Sequence, residues 1–346
     1  MLVLDGVCVR GYMGGFGQIE VGWDRFAYDY HQSIIPMTIA ERLQLDKTWL
    51  DDGRLFASWC LPSRRLLHKT RCNLHRELHG SQYRSCVHLK GHGGVKGALR
   101  HIMRHQSRHR YVARFDVARY YESIDHEVLL EILQRRGASA ASKAVVADYL
   151  RLPDWHCTGR GMTAGGSLSP LLAAVMLMPL DEAMNQLWRR YGLVYVRYMD
   201  DFVLMAPTRH TLRRAIKKVH AVMDELGLSL HATKRYIGKL SNGFDFLGYQ
   251  VVPGRRLRTS AEGRRRFAEK FRRLYEQGAD YGRLWRYAER WCRWRRAGLD
   301  GLVSLKGGLR RVVIQRLKAL GIVGFPIPRY DAQTCRWQPQ KTSASG

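Results

Sequence analysis

Val196-Arg197-Tyr198-Met199-Asp200-Asp201-Phe202-Val203-Leu204 is the stretch that decides how this chain is read. Two adjacent acids lie between apolar runs, Val194-Tyr195-Val196 before them and Phe202-Val203-Leu204-Met205 after. Runs this short and this rich in β-branched and aromatic residues predict two strands. Asp is favoured where the chain reverses, so the acidic pair belongs in a hairpin turn. Two carboxylates so close repel one another and stay ionised in a fold chiefly when a cation sits on them. Taken alone, the pair reads first as an exposed surface turn. A third acid and a nucleic-acid surface elsewhere in the chain would decide the matter.

Working outward, 346 residues with 45% hydrophobic content predict two or three folded lobes and exclude wholesale disorder. The charge balance is unusual: 58 Lys plus Arg face 30 Asp plus Glu, a formal +28. Self-repulsion on that scale calls for a polyanion, and nucleic acid is the expected partner. No apolar run nears the roughly 20 residues of a spanning helix, and no signal-peptide pattern opens the chain, so no membrane partner is expected and the location is expected to be cytoplasmic. The seven cysteines are scattered without a Cys-x-x-Cys pair, which argues against a disulfide framework or a zinc ribbon and for reduced thiols.

Upstream of the hairpin, Trp49 to Cys60 reads as a short amphipathic piece. His88-Leu89-Lys90-Gly91-His92-Gly93-Gly94-Val95-Lys96-Gly97 is a basic, glycine-rich loop leading into a helix. Such a loop can offer N–H groups and the cations Lys90 and Lys96 to phosphates, although it is not a Walker sequence. Tyr111 to Val117 is a strand ending at Asp116, followed by a helix that Ser123 or Asp125 can cap. A second helix runs from a cap near Ser139 to Leu152. The glycine-rich turn Gly159 to Ser167 enters an apolar helix, Leu171 to Met184, with Ser169 as its cap. Beyond the hairpin, Thr208 to Leu226 is an amphipathic helix with Arg213, Arg214, Lys217 and Lys218 outward. Leu228-Ser229-Leu230 and Phe244 to Tyr249 read as further strands. From Arg255 to Arg296 the chain is Arg-rich with interleaved aromatics. The clusters Arg264-Arg265-Arg266 and Arg272-Arg273 read as a face nearly unbalanced by acids and suited to a nucleic-acid backbone, and the aromatics read as core.

Asp116 at a strand end and Asp200-Asp201 in a hairpin, on a strongly basic α/β chain, have a specific chemical reading. Nucleotidyl transfer uses two Mg²⁺ ions roughly 4 Å apart that bridge the attacking hydroxyl and a triphosphate. Carboxylates presented from neighbouring strands supply the oxygen ligands that Mg²⁺ prefers.

The same residues resemble a known family. Phe115-Asp116-Val117-Ala118-Arg119-Tyr120-Tyr121, Gly165-Gly166-Ser167-Leu168-Ser169-Pro170, Tyr198-Met199-Asp200-Asp201, Leu226-Gly227-Leu228 with Lys234, and Phe244-Asp245-Phe246-Leu247-Gly248-Tyr249 occur in the order of the palm motifs of bacterial reverse transcriptases of the group II intron-related lineage. That lineage includes diversity-generating retroelement enzymes and defence-associated enzymes. The resemblance implies an α+β right-hand polymerase with fingers, an antiparallel-sheet palm and a helical thumb. Residues 1-85 would form an N-terminal extension and part of the fingers, 86-250 the fingers and palm, 251-330 the Arg-rich thumb and 331-346 a tail. It implies Asp116, Asp200 and Asp201 as catalytic and metal-holding acids, with the Val117 carbonyl as a further ligand of two Mg²⁺ ions, for which Mn²⁺ can substitute. Arg119, Tyr121, Ala164, Gly165, Gly166 and Lys234 would border the nucleotide. Tyr121 would exclude the ribose 2′-OH and so favour dNTPs, and Lys234 would neutralise or protonate pyrophosphate. Lys90, Lys96, Gly248, Tyr249, Arg264, Arg265, Arg272 and Arg273 would contact nucleic acid.

The departures are also informative. Ala164 stands where intron-type enzymes carry a Gln that contacts the incoming nucleotide, which implies relaxed nucleotide selection. Ser169-Pro170 departs from the Ser-Gln ending usual in diversity-generating enzymes. The residues after Tyr249 are expected to form a thumb but no added endonuclease. The implied activity is RNA-directed DNA synthesis from an RNA template and a DNA primer with dNTPs. The favoured role is copying a dedicated noncoding RNA in antiviral defence. The alternatives are a diversity-generating enzyme with an accessory protein and a maturase-like RNA-binding protein. Self-association is left open.

Overall fold

The computed structural model describes residues 43–51, 54–78, 80, 84–152, 158–304 and 308–321, together with four short strands: β1 (Val3–Leu4), β2 (Val7–Cys8), β12 (Arg329–Asp331) and β13 (Arg336–Gln338). The extension expected before residue 43 and the tail expected after 331 otherwise lie outside the described residues. The chain divides into two compact units, Met1–Gly238 and Lys239–Gly346. The motif at Phe244 to Tyr249 therefore folds with the Arg-rich helices.

In the first unit, β3 (Leu45–Asp51) and β4 (Arg54–Trp59) pair as an antiparallel hairpin. The amphipathic piece expected at Trp49 to Cys60 falls in this hairpin, where Ala57 and Trp59 are buried and Phe56 and Ser58 only half-buried. Helices α1 (Leu61–Glu77) and α2 (Gly94–His105) follow. Helix α2 is entered through glycines with left-handed backbones at Gly91, Gly93 and Gly94.

A four-stranded sheet organises the unit in the order β6 (Val194–Tyr198), β7 (Asp201–Ala206), β5 (Tyr111–Asp116), β8 (Tyr236–Lys239). Strands β5 and β7 are antiparallel in a register that sets Asp116 directly opposite Asp201 and Tyr111 opposite Ala206. Strands β6 and β7 form the predicted hairpin, with Tyr198 opposite Asp201 across the two residues Met199 and Asp200. After β5 come α3 (Tyr120–Ser123), α4 (His126–Arg135) and α5 (Ala140–Arg151). Asp125 accepts from the Glu127 and Val128 N–H groups, and Ser139 from the Ser142 N–H, so two expected caps are in place.

The expected helix from Leu171 to Met184 is two helices, α6 (Ser169–Met176) and α7 (Met178–Tyr191), broken at Leu177 just before Pro179. Proline suits the first turn of a helix and disrupts an interior, so the break follows from its position. Ser169 does not cap α6. Its hydroxyl donates to the Thr163 carbonyl at 2.9 Å and pairs with the Tyr149 hydroxyl at 2.7 Å, fastening the glycine-rich loop instead. Gly166 is required there because a Cβ would lie 2.2 Å from that same tyrosine oxygen. Leu171 to Met176 are all buried, the signature of a helix enclosed on every side. Helix α8 (Arg209–Glu225), capped by Thr208, lays Leu212, Ala215, Val219 and Met223 on β5 and β7. Leu228 to Leu230 forms no strand, only a single bridge from Leu230 to Val117.

Within the core sits one charged network. Arg197, 0% exposed, donates through Nε to Asp181 Oδ1 at 2.8 Å and through Nη2 to Asp181 Oδ2. The same arginine donates to the carbonyls of Ala174 (3.3 Å) and Met199 (3.0 Å), and Tyr195 donates to Asp181 at 2.8 Å. Every polar atom that burial would strand is engaged, which is what makes such a pair tolerable.

The second unit holds a three-stranded sheet, β9 (Phe244–Phe246), β10 (Tyr249–Val251) and β11 (Arg258–Thr259), with helices α9 (Ala261–Glu276), α10 (Tyr281–Arg296) and α11 (Gly308–Ala319). Its core is aromatic, as expected: Phe267, Phe271 and Trp285 are buried, and Phe267 stacks on Trp291 at 4.3 Å.

Asp181→Asn leaves the Arg197 charge buried with a neutral partner and should cost about 3–5 kcal/mol of stability. The double replacement Asp181→Leu with Arg197→Met should cost less than either single change in denaturant unfolding. Additive losses would show that the pair is not coupled.

Candidate active site

The three predicted acids converge where β5 ends and the β6–β7 hairpin turns. The Val117 N–H donates to the Asp200 carbonyl at 3.2 Å, joining the strand end to the turn. Alongside runs the segment from Ser229 to His231: the Ala118 N–H donates to Ser229 at 2.8 Å and the His231 N–H to Asp116 at 2.7 Å. That pairing brings Lys234 to Asp116, with Nζ 3.5 Å from Oδ1.

Arg114 is a site residue that the sequence reading missed. It sits two residues before Asp116 and so on the same face of β5. Its strand partner is Val203, which makes Asp201 the diagonal neighbour two positions away. The guanidinium grips both carboxylate oxygens, Nε to Oδ1 at 2.9 Å and Nη2 to Oδ2 at 2.8 Å. Burial nevertheless pushes the Asp201 carboxyl above its ordinary range. Arg114 opposes that rise, and the charges of Asp116 and Asp200 reinforce it.

The turn itself is strained. Met199 adopts a left-handed backbone, φ 57°, which costs a non-glycine residue about 1–2 kcal/mol. Two side chains hold it. Arg197 takes the Met199 carbonyl, and the Met199 N–H donates to His88 Nδ1 at 3.0 Å. Accepting at Nδ1 fixes the proton of His88 on Nε2, which donates to the Pro170 carbonyl at 3.0 Å. Burial and then the Arg197 charge push the His88 imidazole down to about 4, so it stays neutral and able to accept. The backbone also supports this edge: Ser85 and Val87 bond to Arg197 from outside β6, at 2.8 and 2.9 Å.

Of the other predicted residues, Tyr120 is core, its hydroxyl donating to Ala173 at 2.6 Å, whereas Tyr121 is half-buried beside it. Arg119 is exposed with a left-handed backbone and lies 3.7 Å from Glu122. Ala164 is half-buried, and its carbonyl accepts from the Ala57 N–H of β4 at 3.4 Å. A Cβ on Gly165 would lie 3.5 Å from the Phe56 ring, so the hairpin borders the motif that lacks the amide. Lys90 is exposed in the glycine turn, and Lys96 is half-buried in the first turn of α2.

In the second unit, Leu247 and Gly248 form a tight turn with left-handed backbones at both positions. Arg295, within the Arg-rich stretch, is buried and donates to the Gly248 carbonyl at 2.8 Å; the Tyr249 hydroxyl donates to its carbonyl at 2.9 Å. A Cβ on Gly248 would approach that guanidinium to 2.9 Å. The face of α9 is not unbalanced by acids as expected. Arg265 bridges Glu262 and Glu269, Arg272 meets Glu276, and Arg264 donates to the Thr259 carbonyl. Arg273 is exposed in the last turn.

Among the described residues, no three acid, His or Cys side chains form a ready metal cage. Both oxygens of Asp201 are taken by Arg114, and Asp116 faces Lys234. The donor set still fits Mg²⁺, which favours carboxylate oxygen and completes its octahedron with water and substrate phosphate.

A model of the family described as reverse transcriptase (RNA-dependent DNA polymerase) matches residues 59–251, more than half of the chain. The chain belongs to the reverse transcriptase family. Protein YkfC of Escherichia coli (strain K12) is 25% identical to this chain over 183 residues, covering 42% of this chain and 48% of that protein. The retrovirus-related Pol polyprotein from type-1 retrotransposable element R2 of Nasonia vitripennis is 26% identical over 139 residues, 36% of this chain and 14% of that one. The chain therefore spans about half, or less, of the length of the curated relatives it matches. Among solved structures, telomerase from Candida albicans in complex with a TWJ fragment of telomeric RNA superposes with a TM-score of 0.54 at 13% identity, over 80% of this chain and 54% of that one. That likeness is one of fold: an α+β right hand, as the motifs implied.

Two predictions follow from the geometry. Arg114→Met strands the Asp201 charge and should cost about 1–3 kcal/mol, part of which Mg²⁺ or Mn²⁺ restores, read as a larger ion-induced rise in melting temperature than in wild type. An equal rise in both would refute the role given to Arg114. His88→Asn keeps an acceptor near the Met199 N–H, whereas His88→Gln keeps only the donor to Pro170. The Asn variant should retain the greater share of kcat with KM for nucleotide unchanged in both. Wild type should also lose stability relative to His88→Asn as pH falls from 6.5 to about 4, because its depressed imidazole must fold uncharged. Parallel pH profiles would count against this.

Proposed function

We propose that this chain is an RNA-directed DNA polymerase that extends a DNA primer on an RNA template with dNTPs. The observation that carries the proposal is the facing of Asp116 and Asp201 across adjacent strands with Asp200 at the turn between β6 and β7. Two Mg²⁺ ions, or Mn²⁺, held there by Asp116, Asp200, Asp201 and the Val117 carbonyl would neutralise charge on the triphosphate and the attacking hydroxyl. The chain's own part is placement. Arg197 and His88 fix the turn, Arg114 and Lys234 balance the acids, and Tyr121 stands where a ribose 2′-OH would be excluded. The missing amide at Ala164 leaves the base pair less constrained.

Within this reading the chain is a cytoplasmic bacterial enzyme of the group II intron-related lineage that copies a dedicated noncoding RNA in antiviral defence. Similarity to an Escherichia coli protein and the strong positive charge support a bacterial, RNA-dependent role. Sequencing the RNA and cDNA that copurify distinguishes this from diversity generation with an accessory protein.

Primer extension on poly(rA)/oligo(dT) tests the activity itself. Wild type should make DNA in Mg²⁺, and Asp200→Asn should lose at least about 10³ in rate, the scale of removing preorganised charge stabilisation. No product from either would favour a maturase-like RNA-binding protein. In the same assay Ala164→Gln should misincorporate less than wild type.

A further inference from the structure

Unpaired basic charge in the described fold is not confined to the Arg-rich helices. In α10 Glu289 takes Arg293, whereas α9 neutralises much of its charge internally through Glu262, Glu269 and Glu276. The last turn of α7 and the outer face of α8 do not. Arg190, Arg209, Arg213 and Arg214 are exposed, and among the described residues none lies within ion-pair distance of a carboxylate. Lys217 and Lys218 continue the face one turn on, and the acids of α8, Asp224 and Glu225, stand at its opposite end.

Position separates this patch from the acids. Strand β5 runs from Tyr111 to Asp116, and β7 returns from Asp201 to Ala206. The catalytic candidates thus occupy one end of the sheet and the patch the other, about 17 Å along the strands. The far end is joined by His109, whose Nε2 meets the Gly192 carbonyl at 3.0 Å, and by Arg110, whose N–H donates to Ala206 at 3.1 Å. Both are flanked by the exposed Arg108, so the basic surface continues from α8 onto the start of β5.

Aromatic residues are interleaved with the cations. Arg214 lies 4.7 Å over the Tyr191 ring and bonds its hydroxyl, and Arg190 lies 5.4 Å from the same ring. Trp188, one turn earlier on α7, is 54% exposed, a large apolar ring left in water. A solvated basic face normally mixes signs. Cations unpaired by acids, with flat rings held between them, match phosphates and unstacked bases.

We infer that the end of the palm opposite the acids, formed by the last turn of α7 and the outer face of α8, is a second RNA-binding surface. It takes a structured stem and its flanking unpaired bases, separately from the template held at the acids. The arginines bind the phosphates, and Trp188 and Tyr191 stack bases at the stem's edge. The role goes beyond template copying: it tethers a structured RNA while a distant part of the same or another strand is copied.

The test compares wild type with the variant Arg190→Ala, Arg209→Ala, Arg213→Ala, Arg214→Ala. Binding of a short RNA hairpin with a blocked 3′ end is followed against salt, and extension of poly(rA)/oligo(dT) in parallel. Hairpin affinity should fall about tenfold or more, and the slope of log affinity against log salt should shrink by about two to four. Extension of the short duplex should stay within about twofold of wild type. Photocrosslinking of a 4-thiouridine-substituted hairpin to the unmutated chain should label the peptide holding Trp188 and Tyr191. Unchanged hairpin affinity, loss of both activities in proportion, crosslinks confined to other segments, or a defect confined to anionic lipid vesicles would each overturn the inference. Hairpin binding that depends on these arginines in an enzyme that extends no primer would leave it standing and overturn the polymerase reading instead.

Discussion

Arg197 is the residue on which the site depends. It lies on β6 two positions before Met199 and is wholly buried, and a lone guanidinium in that place would be prohibitive. Asp181 on α7 makes it tolerable and thereby ties the strand to the buried helix pair. Because the same guanidinium also takes the Met199 carbonyl, the charge pair stabilises a turn that the backbone alone disfavours. A two-residue turn usually places glycine or asparagine at a left-handed position. Methionine persists there because arginine and histidine hold it from opposite sides, so the carboxylates of Asp200 and Asp201 are set by groups outside the turn.

The formal +28 of the chain is distributed with similar economy. Where arginines line α9, glutamates three and four residues away accept them; Arg265 bonding with Arg266 to Glu262 depresses that carboxyl to about 2. Such pairs are exposed and worth little to stability, yet they fix side-chain directions and lower the local field. Arg295 has left the surface altogether to buttress the turn at Gly248. A count of basic residues therefore overstates the free charge of α9, whereas the outer face of α8 keeps Arg209, Arg213 and Arg214 out of ion-pair distance of carboxylates among the described residues.

The parts of this fold legible in the sequence are those encoded locally. The strand ending at Asp116, the Asp200-Asp201 hairpin, the caps at Asp125 and Ser139, and the outward basic face of α8 each depend on residues within one or two turns. Arg114, His88 and Arg197 were not legible as site residues, because their meaning lies in partners far along the chain. His88 reaches Met199 across 111 positions and Arg114 reaches Asp201 across 87. An arginine in a strand and a histidine beside a glycine loop carry no local pattern. The same limit explains Ser169, whose pattern says cap but whose hydroxyl answers to Tyr149, a residue on another helix.

The acids themselves differ more than their shared type suggests. Asp201 has both oxygens committed to Arg114, and its burial already favours a proton or a cation. Asp116 faces Lys234, whose side chain is 57% exposed on a flexible stem and so is displaced at little cost. A cation arriving from solvent therefore meets unequal resistance: little at Asp116, and at Asp201 a bidentate fork that must first be broken or shared. Within the reading of this site as a polymerase centre, Asp116 would take a cation with less rearrangement than Asp201. Asp201 adds negative potential beside it. Arg114 keeps that potential from destabilising the sheet while the nucleotide is absent, and so the positive charge of the enzyme begins its work two residues before the first acid.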